Sequence, residues 1–391
     1  MKNGNFQKSC IITPNYPDPW FIEQGAFVER LVREWKKEGM TVDVVAPKKF
    51  VNKFRSFFKQ KHKTDKLAGD KILCPSYVSV SNKKVLNVDL KEISLSNFNK
   101  SALKSLKGLD TPDFFYGQFL ESGGSAALTA GKKYNRPAFA DVGESVLVKS
   151  GSEEEKKKLK RLVSSLDGLV CVSEELAEEV TNLGADPEKV MFHPNTVSLD
   201  RFKKLDRSTC RRKLGLPDDE IISIFVGHFI ERKGPLRVLK ALKMQNNPKV
   251  KSIFIGRGEQ EPESDIVLQK GPVPNDELNA WFCAADFFVL PTLHEGYCNA
   301  INEAMASGLP IISSDIPEVK TQVPEAAGLL VDPADIDSIA KAIEKLASNP
   351  ELRKKMGEAA FQEQVKRSSR SRASIILEWI NLLLEQKEVK L

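Results

Sequence analysis

Short apolar runs and stretches of helical period alternate along the whole chain. Residues 9–13 (SCIIT) are a compact apolar run, the pattern of a buried strand. Phe27, Val28, Leu31, Val32 and Trp35 then share one face of a helix predicted over 26–38, and Gly39 closes it. TVDVVAP (41–47) predicts a second strand. The same alternation returns with strands at 113–117, 136–143 and 167–173 and helices over 121–134 and 152–166. In the second half, 221–227, 250–256, 285–291 and 309–314 read as strands, with helices near 235–245, 276–284 and 299–307. The stretch 193–202 has neither period and marks a join, and 335–388 reads as helix throughout. Strands that alternate with helices imply parallel sheets covered on both faces. The pattern therefore predicts an α/β fold of two doubly wound halves.

Composition narrows this only slightly. With 391 residues, 41% hydrophobic and 29% charged, two domains can each bury a core without disulfides or a structural metal. The net charge of +6 is too small for a surface that binds nucleic acid all over. Six cysteines lack any CxxC pair, so neither zinc nor a disulfide framework is expected. The polar N-terminus lacks a signal-peptide pattern, and no apolar run reaches the length of a membrane span. A cytoplasmic protein is the expectation.

Chemistry is expected in loops that follow the carboxyl ends of strands. After the strand ending at Pro291 comes TLHEGYCN, then a helix from about Asn299 to Ser307. The free N–H groups of that helix start suit a phosphate. Glu295 lies in the loop and Glu303 on the helix, eight positions later; carboxylates so placed can accept hydrogen bonds from sugar and ribose hydroxyls, or be ordinary surface charges. The loop GHFIERKGP (227–235) supplies Arg232 and Lys233, which could neutralise a diphosphate leaving group.

These residues carry a family resemblance. FVGHFIERKG, FIGRG and ADFFVLPTLHEGYCNAINEAMASGLPIISS together resemble the nucleotide-sugar glycosyltransferases of the GT-B fold, in the retaining group known as family 4. The hallmark Glu-x7-Glu is matched by Glu295 and Glu303. The N-terminal half is similar more loosely, through PNYP, QGAFVERLVREWKKEGMTVDVVAP and CVSEELAEEV. The resemblance implies two Rossmann-like doubly wound domains facing a cleft, with C-terminal helices. Residues 1–195 would form the acceptor-side domain, 196–365 the nucleotide-sugar domain, and 366–391 a helix crossing back. Implied roles follow residue by residue. Glu303 would bind the nucleotide ribose, and Glu295 the donor sugar. Backbone amides at Gly296, Tyr297, Cys298 and Asn299 would meet the donor, beside Gly227, His228 and Gly25. Lys233 and Arg232 would neutralise the diphosphate. No cofactor or metal is implied; the co-substrate is a nucleotide-diphosphate sugar, with UDP the first expectation. The acceptor would be a hydroxyl-bearing glycan, lipid-linked glycan or polyol. A nucleotide-sugar epimerase and a non-catalytic scaffold of the same fold are the alternatives.

Three positions depart from the family. His228 stands where an Arg is usual, and Asn195-Thr196-Val197-Ser198 replaces Asn-Gly-Val-Asp. Gly143 holds the place of a frequent His, with Glu144 next to it. Glu144, Asn195 and His294 are candidate acceptor or sugar contacts, and Glu144 may equally be read as a helix-start residue. The loops GRGEQE (256–261) and VPN (273–275) are expected near the nucleotide base.

One segment suggests location. Residues 48–63 carry seven Lys and Arg and no acid. Phe50, Phe54, Phe57 and Phe58 fall on one helical face, beside Lys53 and Arg55. This reads as an anchor for anionic membranes, peripheral on the inner face, or as a helix packed on its own domain.

Overall fold

The computed structural model describes residues 6–17, 25–50, 68–80, 84–85, 88–144, 147, 152–368 and 370–389. It separates into two compact units, Met1–Pro194 with Ser371–Leu391, and Asn195–Arg370.

The first unit is built on β1 (Lys8–Ile12), β2 (Thr41–Val45), β3 (Lys48–Lys49), β4 (Ile72–Leu73) and β5 (Ser76–Tyr77), then the small antiparallel pair β6 (Lys84–Val85) and β7 (Val88–Asp89). They are followed by β8 (Phe114–Gln118), β9 (Ala138–Val142), β10 (Gly168–Cys171) and β11 (Val190–Phe192). Its main sheet has the order β11-β10-β9-β8-β1-β2-β4, and every pairing is parallel. Five strand residues of β8 and five of β9 are all buried, as expected of strands covered on both faces. The helices are α1 (Ala26–Lys37), α2 (Leu90–Ser105), α3 (Ser125–Tyr134), α4 (Glu153–Val163) and α5 (Glu174–Asn182). Ser152 and Ser173 cap α4 and α5 with their hydroxyls.

The second unit runs α6 (Arg207–Leu214), β12 (Ile221–Val226), α7 (Pro235–Lys243), β13 (Val250–Ile255), β14 (Val267–Gly271) and α8 (Leu278–Ala284). It continues with β15 (Phe287–Leu290), α9 (Asn299–Ala306), β16 (Ile311–Ser314), α10 (Pro317–Lys320), β17 (Gly328–Val331), α11 (Ile336–Ser348) and α12 (Pro350–Arg367). The parallel sheet has the order β14-β13-β12-β15-β16-β17. In each unit the strand order reverses once, between β1 and β8 in the first and between β12 and β15 in the second. Such switch points are where open α/β sheets bind ligands.

The last helix, α13 (Arg372–Val389), belongs to the first unit. Its Ile376, Leu377, Ile380 and Leu384 are buried in that unit's core. Trp35 Nε1 donates to Ala373 O at 2.8 Å, and Trp379 meets Phe139 edge to face at 6.4 Å. Arg372 joins the buried Asp141 at 2.7 Å and donates to His193 O at 3.0 Å.

The structure describes only the start of the basic segment. Lys48 and Lys49 are strand residues paired with Ser76 and Tyr77, so no helix starts at 48. A backbone already extended into a ladder cannot also make helical bonds. Phe50 is exposed. Lys53, Phe54, Arg55, Phe57 and Phe58 lie outside the described residues.

Candidate active site at the strand ends

In the second unit the loops after β12 and β15 are neighbours because those strands pair directly. Backbone bonds lace them together. Leu293 N donates to Arg232 O at 2.8 Å, and Arg237 Nη2 donates to Pro291 O at 3.0 Å. Arg232 Nη1 donates to His294 O. The tight course of these loops depends on glycines. Gly234, at φ 77°, caps α7, and a Cβ there would meet the Arg237 guanidinium at 2.6 Å. At Gly256 a Cβ would lie 1.9 Å from Gly227 O, which seats the 256–258 turn flush against the 227–229 loop.

Four side chains meet at the switch point. Glu295 is buried, and its Oε1 is paired with Lys233 Nζ and with Arg232 Nη1 at 3.3 Å. Thr292 Oγ1 donates to the same oxygen at 2.9 Å. Lys233 is only 9% exposed, so its charge is held ready where water screens little. His228 is exposed, and partial desolvation of its ring, then Lys233, Arg232 and Arg257, lower its pKa below the usual imidazole value. A positive charge at this position is thus disfavoured.

The Glu-x7-Glu pair is thus divided. Glu295 is engaged with cations at the loop, while Glu303 is half-buried on α9. Gly296 is buried, Asn299 and His294 are exposed, and Gly227 is half-buried. Cys298 differs from expectation. Its amide already donates to Gln322 Oε1 at 3.2 Å, so it is not free to meet a donor. The Tyr297 side chain meets Asn302 and Arg367, and burial pushes its phenol pKa up, which leaves the expectation for its backbone amide as it stood.

A buried amide network that sequence reading missed sets the start of α9. That helix has no capping side chain of its own. Gln322 fills the gap, donating to Cys298 O at 2.6 Å and to Asn302 Oδ1 at 2.9 Å. Gln364 on α12 donates to the same oxygen at 3.0 Å, and Asn302 Nδ2 donates to Asn195 O at 2.8 Å. Gln322 and Gln364 lie 20 and 62 positions from Asn302, so no local spacing announces them. The available signal is polar residues among apolar ones, Asn302 and Gln364 on helices and Gln322 in the turn after α10.

In the first unit, Gly25 at φ 76° begins α1, and a Cβ there would lie 2.2 Å from Asn15 O. After β8 the chain makes a wide π turn, Phe119–Gly124, where helix had been expected from 121. Phe119 takes φ 66°, a costly conformation for a non-glycine residue, and its ring meets Phe27 edge to face at 5.9 Å. Glu144, at the end of β9, accepts from Leu120 N at 2.5 Å through Oε1. It therefore caps this turn, and the residues that would tell whether it also starts a helix lie outside the described ones. Its Oε2 is enclosed and has no partner among the described residues. Burial pushes the Glu144 pKa up to about 7, and Asp141 adds to the rise. Asn195 meets α9 through its carbonyl, in the second unit.

Comparisons with known proteins agree with this architecture. Residues 206–363 match the family described as Glycosyl transferases group 1. TuaC of Bacillus subtilis, a glycosyltransferase assigned to teichuronic acid biosynthesis, is 28% identical over 350 residues, covering 85% of this chain and 87% of TuaC. A D-inositol 3-phosphate glycosyltransferase of Streptomyces bingchenggensis is 31% identical over 225 residues, covering 51% of this chain and 49% of that protein. Among solved structures, a sucrose-phosphate synthase from Thermosynechococcus elongatus superposes with TM-score 0.76 at 20% identity, covering 98% of this chain and 100% of that one. Anabaena HepE, solved with UDP and glucose, superposes with TM-score 0.68 at 14% identity, covering 97% and 99%. Residues 206–363 are thus similar to the glycosyl transferases group 1 family, and the two parallel-sheet units have the GT-B fold.

Proposed function

We propose that this chain is a glycosyltransferase that takes its sugar from a nucleotide-diphosphate sugar, a UDP-sugar first, and passes it with retention of configuration to a hydroxyl-bearing acceptor. The observation that carries the reading is the meeting of Lys233, Arg232 and Glu295 at the β12/β15 switch point. A diphosphate leaving group gains negative charge as its bond to the anomeric carbon breaks, and two fixed cations stabilise that charge. The acceptor oxygen then bonds to the same carbon, and its proton passes to the departing phosphate. Positive charge is supplied by side chains, so no metal is invoked. Glu303 holds the ribose, and the Lys233–Glu295 pair opens to share its ammonium with the diphosphate.

HepE was solved with UDP, which makes UDP the first nucleotide to try. The names of the two relatives contain an acid and a phosphate ester, which favours an acidic acceptor or product. Attachment to an anionic membrane through 48–63 belongs to the same reading and rests on the sequence of that segment and on exposed Phe50.

The test is thermal stabilisation by UDP, GDP and ADP and their sugars. A ligand at a hundred times its Kd should stabilise by about 2.7 kcal/mol. One nucleotide should raise Tm, and Glu303→Ala should weaken that nucleotide at least tenfold. No response to any of the panel, or an unchanged response in Glu303→Ala, rejects the donor site.

A further inference from the structure

The first unit carries a trough of about 1060 Å³ among α2, α3 and α4. One end is walled by Pro14, Glu121 and Ser122, which follow the carboxyl ends of β1 and β8. The trough therefore begins at the strand-end loops of this unit and runs away from them between helices. Its volume lies at the upper end of the usual range for a ligand pocket.

Its lining is mixed. Leu95, Phe98, Leu128, Leu159 and Leu162 supply apolar patches. Between them lie Ser94, Asn99, Ser122, Ser125 and Thr129, with Asn99 Nδ2 donating to Ser125 Oγ at 3.2 Å. Tyr77 stands in the wall, edge to face with Phe98 at 5.5 Å. A hydrocarbon chain would strip water from those amide and hydroxyl groups and give nothing back. A carbohydrate presents hydroxyls to them and C–H faces to the leucines and Tyr77.

Charge selects further. The four carboxylates of the lining are all held by two lysines. Lys91 lies 2.7 Å from Glu121 and 4.0 Å from Glu155, and Lys158 lies 3.1 Å from both Glu92 and Glu154. Lys49, Lys100, Lys132 and Arg161 also line the trough, all exposed and without an ion-pair partner among the described residues. Six cations against four carboxylates leave the trough net positive, and its unengaged charges are cationic. From this geometry we propose that the trough binds a chain of several sugars bearing negative groups, and that the acceptor is such an acidic glycan. The identification of the ligand as acceptor rests on the transferase reading; binding itself does not.

The experiment measures binding to the full chain of a fluorescently labelled hyaluronan hexasaccharide, which carries a carboxylate on alternate sugars. Chitohexaose, of equal length and neutral, is the comparison. The acidic hexasaccharide should bind at least tenfold more tightly than chitohexaose. The double variant Lys132→Glu/Arg161→Glu should weaken it at least tenfold, and Lys132→Gln/Arg161→Gln by a smaller factor, with nucleotide stabilisation unchanged in both. Equal binding of the neutral chain overturns the proposal, as does indifference to both variants. So does full displacement by inorganic phosphate at equal concentration, or equal binding of single-stranded DNA, since either shows a generic anion surface. If the hexasaccharide binds as expected while no nucleotide stabilises the chain, the trough stands and the transferase reading falls.

Discussion

Among the described residues, Glu144 is a buried carboxylate with one oxygen engaged by backbone and the other without a partner. Its folded pKa of about 7 lies above the ordinary carboxyl value of 4.5. The protonated form is therefore favoured in the folded chain. The associated stability is complete below pH 4.5, declines as pH rises through the window to about 7, and is absent above it. The swing is about 3 kcal/mol from that shift. Glu144→Gln keeps an acceptor for Leu120 N and removes the titration. We expect its urea midpoint to exceed the parent's at pH 8 and to match it at pH 5. An equal difference at both pH values would show that the carboxyl is not titrating in this range. At this scale much was visible in the sequence. Glu295, Lys233 and Arg232 stand in two loops whose polar residues interrupt apolar strands, and the structure brings them together. The lowered pKa of His228 was not visible, because it arises from partial desolvation and from three cations that converge only in the fold.

Among elements, the period of apolar residues identified the central strands, since a strand buried on both faces is apolar along its whole length. The edges were harder. β14 has all five residues half-buried, and β17 is mixed, so neither gives a clean run. Neither strand was expected. The start of α9 shows another limit. The Cys298 amide at its N-cap is satisfied by Gln322, which a short-range capping pattern cannot reveal. An amide left buried without a partner costs about 1–3 kcal/mol, so all three members of that network act together. The basic segment makes a prediction of its own. Its first two residues are fixed in β3, so deletion of 50–58 leaves the β3–β5 pairing in place. That deletion removes Lys53, Arg55 and four phenylalanines. At about 1 kcal/mol per basic residue near an anionic surface, the charges alone correspond to about thirtyfold. Co-sedimentation with vesicles rich in phosphatidylserine should fall by at least that factor. Unchanged sedimentation would leave the segment with a role inside its own unit.

The whole molecule consists of one continuous and one discontinuous unit. Residues 195–370 are contiguous, whereas the first unit needs its last helix from the far end of the chain. Ile376, Leu377, Ile380 and Leu384 are buried, each contributing about 1.5–3 kcal/mol. Together that is comparable with the whole stability of a typical domain, about 5–15 kcal/mol. A chain ending at Arg370 should therefore lose the first unit. Limited proteolysis should leave a resistant fragment close to 195–370 and digest the rest. A resistant fragment from residues 6–194 would show that α13 is dispensable.

The same threading sets an order of events during synthesis. The first unit begins to emerge first and is completed last, because α13 begins at Arg372. At roughly 5–20 residues per second, Trp35 and its neighbours wait about 10–40 s after residue 194 for the helix that covers them. The second unit is made within that interval. The nascent chain therefore presents a partly open apolar face for many seconds while the second unit is still being made, and slower translation lengthens that exposure.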